Sequence, residues 1–213
     1  MSLVVVGTMA FDAIETPFGK SDKIIGGSAM YVAYSANHFH QPVQQVSIVG
    51  NDFPQEELSH LKNCGVDTTG VEIVPDGKSF FWSGRYHMDM NTRDTLVTEL
   101  NVLSQFNPVL PDAYKESDFL MLGNVMPSLQ KKVIEQFTVR PRLIVLDTMN
   151  YWMDTAMDDL REVMRMSDVI LINDSEARQL SNEYSLVKAA KKILTMGPKY
   201  LIIKKGEHGA LLF

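Results

Sequence analysis

Polar side chains stand directly after six short apolar runs of the sequence. Glycine, carboxylate, amide and lysine residues follow the runs that end at positions 6, 49, 122, 146, 172 and 203. Continuous apolar runs predict strands buried on both faces, as in parallel sheets. The carboxyl ends of parallel strands share one edge of the sheet, where such folds bind ligands. The spacing therefore predicts one crevice lined by groups that could bind hydroxyls, phosphate or a hydrated cation.

Two stretches near the start of the chain, one after the first run and one at a pair of glycines, have the chemistry of a hydroxyl-binding site. Asp12 lies in an otherwise apolar setting, where its carboxylate could accept hydrogen bonds from two neighbouring hydroxyls of a polyol, or could shape a turn. Gly26 and Gly27 open a predicted helix. They could let a ligand approach the backbone amides of the first helical turn, or form a plain turn and cap. Neither the Walker pattern nor Gly-x-Gly-x-x-Gly occurs here, which disfavours the corresponding nucleotide folds.

The group after the fifth run has two compatible interpretations. Asn173 and Glu176 are spaced as a capping box, in which each side chain accepts a hydrogen bond from the other residue's backbone. An amide and a carboxylate at a strand's carboxyl end could equally position a hydrated Mg²⁺, a cation that prefers oxygen ligands and keeps its waters.

The elements that must position these residues alternate along the chain. Predicted helices at residues 29–39, 54–63, 128–137, 158–166 and 185–196 separate the apolar runs. This alternation predicts an α/β fold of three layers, with a mostly parallel central sheet flanked by helices. Residues 71–74, 79–86 and 94–100 break the pattern, and we expect them to form a small inserted antiparallel sheet able to cover a site.

Composition narrows the classes of function. The 213 residues suit an α/β domain, and a formal net charge of -6 makes nucleic acid an unexpected partner. Cys64 is the single cysteine, so no disulfide framework exists. No apolar run reaches membrane-spanning length and no basic leader begins the chain, so the sequence predicts a cytoplasmic protein with no membrane partner.

Jointly, these motifs resemble those of the ribokinase-like (PfkB) family of carbohydrate and nucleoside kinases. The residues that carry the resemblance are, in chain order, Asp12, Gly26-Gly27-Ser28-Ala29, Asp147 with Asn150, Asn173-x-x-Glu176 and Lys205-Gly206-x-x-Gly209. Their order and spacing match over essentially the whole chain. The resemblance implies a ribokinase-like fold, with lid strands within residues 14–25 and 71–100.

The resemblance also implies an activity. The chain is expected to be an ATP-dependent kinase that phosphorylates a hydroxymethyl group of a sugar or nucleoside, with Mg²⁺, under a lid. Such chemistry depends mainly on positioning and on neutralising phosphate charge. Carried over position by position, the substrate-binding residues are Asp12, Gly26, Gly27, Tyr31 and Asn124, with the glycine pair also serving as a hinge for the lid. The residues expected to contact nucleotide and phosphate are Asn173, Glu176, Lys204 and Gly206, with Glu176 organising the metal.

Two positions depart from the family pattern. Tyr31 stands where many sugar kinases of the family have an asparagine, and Asn124 stands where some members have an acidic sugar contact. Tyr31 could stack on a ring or fill the space of the missing contact, which makes a nucleoside a more plausible substrate. Aromatic residues of the inserted strands, Phe80, Trp82 and Tyr86, favour either a homodimer through the lids or a cover for the substrate.

The catalytic base is a further departure. In the family a Gly-Ala-Gly-Asp motif supplies it, and no such motif occurs in these 213 residues. We therefore expect the sequence to correspond to the family's first two-thirds, with the C-terminal third lacking. The alternatives are a non-catalytic relative that binds sugar or nucleoside, and an unrelated doubly wound enzyme with a conventional strand order and no inserted sheet.

Overall fold

The computed structural model describes residues 1–213, which fall into two units. The first, called here the N-terminal unit, comprises Ser2 and residues 4–111. The second, the C-terminal unit, comprises Met1, Leu3 and residues 112–213.

The N-terminal unit contains a parallel sheet segment with two helices. Its elements are β1 (Leu3–Val6), β2 (Ala10–Thr16), β3 (Gly19–Gly26), α1 (Ser28–Asn37), β4 (Val43–Gly50), α2 (Gln55–Asn63), β5 (Val66–Val74), β6 (Phe80–Tyr86) and β7 (Arg93–Glu99). Strand β4 lies between β1 and β5 and pairs with β5 in parallel. All eight residues of β4 are buried, including Gln44, Gln45 and Ser47, as expected of a strand covered on both faces. Helix α1 packs against β4, and α2 packs against β5.

The remaining strands of this unit form a second, four-stranded sheet in the order β3-β2-β6-β7. The pairs β2–β3 and β6–β7 are antiparallel hairpins, and β2 joins β6 in parallel. The predicted small antiparallel sheet is therefore present, made of two hairpins. Its first strand begins at Ala10, so Asp12 lies within β2 and not in a loop after β1.

One predicted strand of the inserted sheet is wrong. Residues 71–74 form the end of β5, which belongs to the parallel sheet beside β4. Strand β5 is the last in its strand order, and its second half is largely exposed. An exposed edge strand carries polar residues, so its pattern is that of a half-solvated antiparallel strand.

The C-terminal unit repeats strand–helix alternation. Its elements are β8 (Phe119–Leu122), α3 (Pro127–Glu135), β9 (Leu143–Asp147), α4 (Asn150–Thr155), α5 (Met157–Met166), β10 (Val169–Asn173), α6 (Asp174–Ser181), α7 (Leu186–Leu194), β11 (Tyr200–Lys204) and β12 (Ala210–Leu212). Strands β8, β9, β10 and β11 are successive parallel neighbours, and β12 pairs with β11 in the antiparallel direction. Every strand predicted here occurs, which confirms the α/β class with mostly parallel strands.

The helices of this unit bury apolar stripes. In α5, Leu160, Val163 and Met164 are fully buried at helical spacing, and α5 packs against α3 and β9. Helix α3 begins at Pro127, a residue favoured in the first turn because its missing N–H has no helical partner there. The short helix α4 is an addition to the predicted elements. No helix of the chain has the length and apolar character needed to cross a membrane.

Candidate functional site

Asp12 is a part-buried carboxylate that no protein group neutralises. Burial raises the pKa of Asp12 above its ordinary value, and no hydrogen bond or ion pair counteracts that effect. The carboxylate lies directly on Gly26 of the neighbouring strand, because a Cβ added at Gly26 would stand 2.0 Å from Asp12 Oδ2. Any larger residue at position 26 would displace this carboxylate. Asp12 therefore presents acceptor oxygens that no protein group binds, as a hydroxyl-binding group requires.

The second glycine, Gly27, allows the backbone before α1 to pack closely against the backbone of Thr8. Gly27 precedes α1 with φ of 99°, in the region that favours glycine, and an added Cβ would stand 2.3 Å from the carbonyl oxygen of Thr8. Thr8 in turn accepts the first two amides of the helix: Ser28 N–H donates to Thr8 Oγ1 at 3.1 Å, and Ala29 N–H donates to Thr8 O at 3.0 Å. These two amides are thus already bound within the protein. The turn-and-cap interpretation of the glycine pair accounts for this geometry.

Tyr31 lies in the first turn of α1 beside Asp12. Its side chain is 58% exposed. Partial burial raises the pKa of the Tyr31 hydroxyl, and the Asp12 carboxylate and the Tyr86 hydroxyl raise it further. Asp12, Gly26 and Tyr31 are therefore neighbours, as predicted, and Tyr86 at the end of β6 joins them. The sequence had indicated Tyr86, with Phe80 and Trp82, as part of either a cover for the substrate or a dimer contact.

The loop after β4 has a structural role. Asp52 Oδ1 accepts hydrogen bonds from the backbone N–H and the hydroxyl of Ser79, both at 2.8 Å. The Ser79 hydroxyl also accepts the Gly50 N–H at 3.0 Å. These bonds tie the end of β4 to the start of β6, so this loop holds the second sheet in place.

Asn173 and Glu176 form the predicted capping box at the start of α6. Asn173 Oδ1 accepts the Glu176 N–H at 2.8 Å, and Glu176 Oε2 accepts the Asn173 N–H at 2.7 Å. Glu176 is only 6% exposed. The capping role is confirmed, and it fixes the carboxylate at the carboxyl end of β10. The metal and phosphate roles of the two residues stay predictions.

Asp147 and Lys204 form an ion pair at the carboxyl ends of β9 and β11. Lys204 Nζ lies 3.2 Å from Asp147 Oδ1. Burial raises the pKa of the Asp147 carboxyl, and the nearby Lys204 ammonium offsets part of that effect. Gly206 lies two residues beyond Lys204 with φ of 58°, in an exposed turn closed by the Lys205 N–H bond to the Gly209 carbonyl at 2.8 Å. Lys204 and Gly206 are thus placed near each other, and their nucleotide role stays a prediction.

Asn124 is bound by two neighbours that sequence reasoning did not identify. Asn124 Oδ1 accepts the indole N–H of Trp152 at 2.8 Å, and Asn124 Nδ2 lies 3.0 Å from Met149 Sδ. Its carbonyl and one amide hydrogen are therefore already directed at protein atoms. Few polar atoms of Asn124 therefore remain available for the direct substrate contact that the sequence predicted.

A buried glutamine holds the two loops that carry this cluster. Gln130 Nε2 donates to the carbonyl of Gly123 at 2.9 Å and to the carbonyl of Asp147 at 3.0 Å. Gln130 is fully buried, between Pro127 and Val133 on the apolar stripe of α3. A polar residue at a helical position that otherwise faces the core is the sequence signal that identifies such a role.

Glu176 is the carboxylate of the C-terminal unit that the sequence predicted to organise a metal. No group of three or more histidine, cysteine, aspartate or glutamate side chains is arranged to hold a metal ion. Magnesium bound with a nucleotide needs only one or two carboxylates, because it keeps waters and phosphate oxygens as ligands. Glu176, rigid in its capping box, fits that limited role.

Comparison with known proteins places these features in a family. The model of the pfkB family carbohydrate kinases matches residues 2–213. A cytidine kinase of Thermococcus kodakarensis is 27% identical over 217 residues, which cover 100% of this chain and 76% of that protein.

Solved structures share the fold. The structure of a Burkholderia thailandensis nucleoside kinase in complex with inosine has a TM-score of 0.73 at 19% identity, over 99% of this chain and 72% of that one. A candidate ribokinase II of E. coli, in complex with ATP and Mg²⁺, has a TM-score of 0.73 at 20% identity, over 100% of this chain and 75% of that one. With a family match over almost its whole length, the chain belongs to the pfkB family of carbohydrate kinases.

Proposed function

We propose that the protein is an ATP- and Mg²⁺-dependent kinase that phosphorylates a hydroxymethyl group of a nucleoside, with a sugar as the alternative acceptor. The observation that carries the proposal is the state of Asp12. A part-buried carboxylate with a raised pKa and no protein partner is costly to the fold, and it is retained where a ligand's hydroxyls complete its hydrogen bonds. Two neighbouring ribose hydroxyls are donors of the required kind.

Two further observations favour a nucleoside over a free sugar. Tyr31 lies beside both Asp12 and Tyr86, and an aromatic ring can stack on a base. The T. kodakarensis relative is a cytidine kinase, and a structural neighbour was solved with inosine. A pyrimidine or purine nucleoside is therefore the first acceptor class to examine.

We assign nucleotide binding to the C-terminal unit. Lys204 would neutralise phosphate charge, Gly206 would lie against the nucleotide, and Asn173 with Glu176 would organise the hydrated Mg²⁺ and phosphate. The metal supplies charge neutralisation on the transferred phosphoryl group when bound. We assign no catalytic base within residues 1–213. A cytoplasmic location is part of the proposal, supported by the single cysteine and by the need for ATP.

The second sheet, β3-β2-β6-β7, is proposed as the lid over the acceptor, with residues 14–25 and 80–99 as its strands. Exclusion of water would protect the transferred phosphoryl group from hydrolysis. Exposed apolar residues of this sheet also support the homodimer alternative; they are Phe18, Ile24, Leu96 and Val97.

The decisive experiment is a kinase assay on the full-length protein. Nucleosides and free pentoses or hexoses are supplied singly with ATP, with and without Mg²⁺, and phosphorylated product is identified by mass spectrometry. We expect magnesium-dependent phosphorylation of at least one nucleoside at its hydroxymethyl group. Ligand-induced thermal stabilisation without product for any acceptor would instead favour the non-catalytic binding relative.

A further inference from the structure

Trp152 is a partly exposed aromatic side chain whose indole is held by a hydrogen bond beyond the carboxyl ends of two strands. Its indole N–H donates to Asn124 Oδ1 at 2.8 Å. Asn124 follows β8 by two residues and Trp152 lies in α4, which begins three residues after β9. Because β8 and β9 are parallel neighbours, both residues lie beyond carboxyl ends of strands, where α/β sheets bind ligands.

The hydrogen bond determines what the indole can offer. With its only donor bound to Asn124, Trp152 has no polar group left for a ligand and presents aromatic surface alone. Tyr151 packs against Trp152 edge-on, with ring centroids 4.9 Å apart and planes at 73°, so the indole is supported by a neighbour. Trp152 remains partly exposed in spite of these contacts.

The supports of Trp152 are rigid. Gln130 joins the carbonyls of Gly123 and Asp147, which directly precede Asn124 and Thr148. The loops that carry Asn124 and α4 are thus held at a fixed separation by a fully buried side chain. A fixed aromatic face loses little conformational entropy on binding, which is the property of a recognition surface.

We propose that Trp152 is a stacking platform for a planar heteroaromatic ring of a bound ligand, and that Asn124 is the positioning residue that sets its ring plane. The inference rests on the proposed kinase function and names the residue that would recognise a base. Two ligands of that function carry such a ring: the base of an acceptor nucleoside and the adenine of ATP. Stacking of a base on an aromatic side chain tolerates different bases, because every base has a π-face.

Steady-state kinetics of the full-length protein separate the two sources. Trp152→Ala is expected to raise KM by about tenfold or more, the usual size of a lost base–aromatic contact. A rise confined to the nucleoside assigns the platform to the acceptor base, and a rise confined to ATP assigns it to adenine. Trp152→Phe should recover most of the loss. Tyr200→Ala is the matched control. It removes an exposed aromatic residue at the first position of β11, at the strand end opposite to the proposed site.

The positioning role has its own variants. Asn124→Asp keeps an oxygen that accepts the indole N–H, whereas Asn124→Leu removes it at similar volume. We expect Asn124→Leu to raise the same KM that Trp152→Ala raises, by a smaller factor, and Asn124→Asp to stay nearer the parent value. Equal effects of the two substitutions would overturn the positioning role.

Tryptophan fluorescence makes the test independent of turnover. The parent protein and Trp152→Phe are titrated with ATP and with nucleosides, and with free ribose as a ligand that lacks the ring. Quenching that is present in the parent, absent in Trp152→Phe and absent with ribose supports the platform, even if no acceptor is phosphorylated. Unchanged KM values in Trp152→Ala, or equal quenching in the parent and Trp152→Phe, would overturn the inference while leaving the kinase function intact.

Discussion

Lys204 Nζ lies 3.2 Å from Asp147 Oδ1, and this ion pair spans the end of the strand that separates the two residues. Strand β10 lies between β9, which ends at Asp147, and β11, which ends at Lys204. The Asp147 side chain is 18% exposed and the Lys204 side chain is 51% exposed. The pair therefore holds an accessible ammonium group over a largely buried carboxylate. An anion that binds Lys204 competes with Asp147 for the same charge.

Lys204→Met removes the ion pair with Asp147 and the phosphate contact proposed for Lys204. We expect KM for ATP to rise by about tenfold or more, because a hydrogen bond to a charged group contributes roughly 1.5–3 kcal/mol. We also expect the free energy of unfolding to fall by about 1–3 kcal/mol at pH 8, since Asp147 is left buried and unpaired. The stability loss should shrink toward pH 5, because the already raised pKa of Asp147 rises further and the carboxyl then protonates in the folded state. Urea denaturation at both pH values measures this.

The control for that variant is Lys188→Met, which removes an exposed lysine from α7. It should leave the KM for ATP unchanged. It should change the free energy of unfolding by no more than about 0.5 kcal/mol. Equal stability losses for Lys204→Met at pH 5 and pH 8 would contradict the assigned role of Asp147.

Asp12→Asn is expected to stabilise the fold while weakening the site. The pKa of Asp12 is raised in the folded state, so its charged form opposes folding, and that penalty is present above the raised pKa and disappears as pH falls below the ordinary value. The melting temperature of the variant should therefore exceed that of the parent at pH 7, with the difference shrinking at acid pH. Acceptor KM should rise by about tenfold or more, because a charged acceptor of hydroxyl hydrogen bonds is lost.

Differential scanning calorimetry and acceptor kinetics check both parts. Asp76→Asn, in the exposed loop between β5 and β6, is the matched carboxylate control and should alter neither quantity. A melting temperature that falls at pH 7 would show that Asp12 has a stabilising partner, contrary to the structure.

Glu176→Gln separates the helix-capping role of the Glu176 side chain from the effect of its negative charge. The glutamine carbonyl can still accept the Asn173 N–H, so the free energy of unfolding should change by less than about 1 kcal/mol, whereas Asn173→Ala should lose about 1 kcal/mol with the cap. The magnesium concentration for half-maximal activity should rise in Glu176→Gln, because the negative charge is gone. Magnesium titrations of activity, paired with urea denaturation, provide the measurements. If that concentration stays at the parent value, Glu176 is a cap alone.

Asp168 is expected to be a major stabilising residue away from the site. Burial acts to raise its pKa, but the Ile144 N–H at 2.9 Å, Arg140 Nη2 at 3.0 Å and Lys199 Nζ at 3.3 Å outweigh that and hold the pKa below its ordinary value. Asp168→Ala should lower the free energy of unfolding by about 3 kcal/mol or more, as for other broken buried charge networks.

The contribution of Asp168 should be full above the ordinary aspartate pKa and lost as pH falls through the depressed folded value, because the unfolded state then binds the proton more tightly. Urea denaturation of parent and variant between pH 7 and pH 3 follows the loss. Asp158→Ala removes a fully exposed partner of Arg161 and should cost less than about 1 kcal/mol. An equal cost for both variants would contradict the network.

The sequence was sufficient to predict an element or a local hydrogen-bond motif where its pattern has one structural cause. Short, mostly apolar runs identified the buried strands β1, β4, β8, β9, β10 and β11, since a strand covered on both faces lacks polar alternation. The Asn173-x-x-Glu176 spacing identified a capping box because both of its hydrogen bonds are local.

The sequence was insufficient where partners are distant. Nothing local to Asn124 reveals that Trp152, 28 positions away, donates to it, nor that Gln130 joins two strand ends. The placement of residues 71–74 was wrong because an exposed edge of a parallel sheet has the composition of an inserted strand. Strand partners depend on long-range pairing, which hydrophobic period alone does not encode.

The contact between Gly27 and Thr8 limits how this enzyme can be re-engineered. A side chain added at Gly27 would collide with the Thr8 carbonyl oxygen at 2.3 Å, and one added at Gly7 would lie 2.5 Å from Ser28 Oγ, so the close contact between the residues after β1 and the start of α1 disfavours larger residues there. Libraries that vary these glycines should yield misfolded clones before they yield altered selectivity. Substitutions meant to alter selectivity should instead be made at Tyr31 and Tyr86. Their rings are exposed or part-exposed and can be replaced without moving the backbone beneath them.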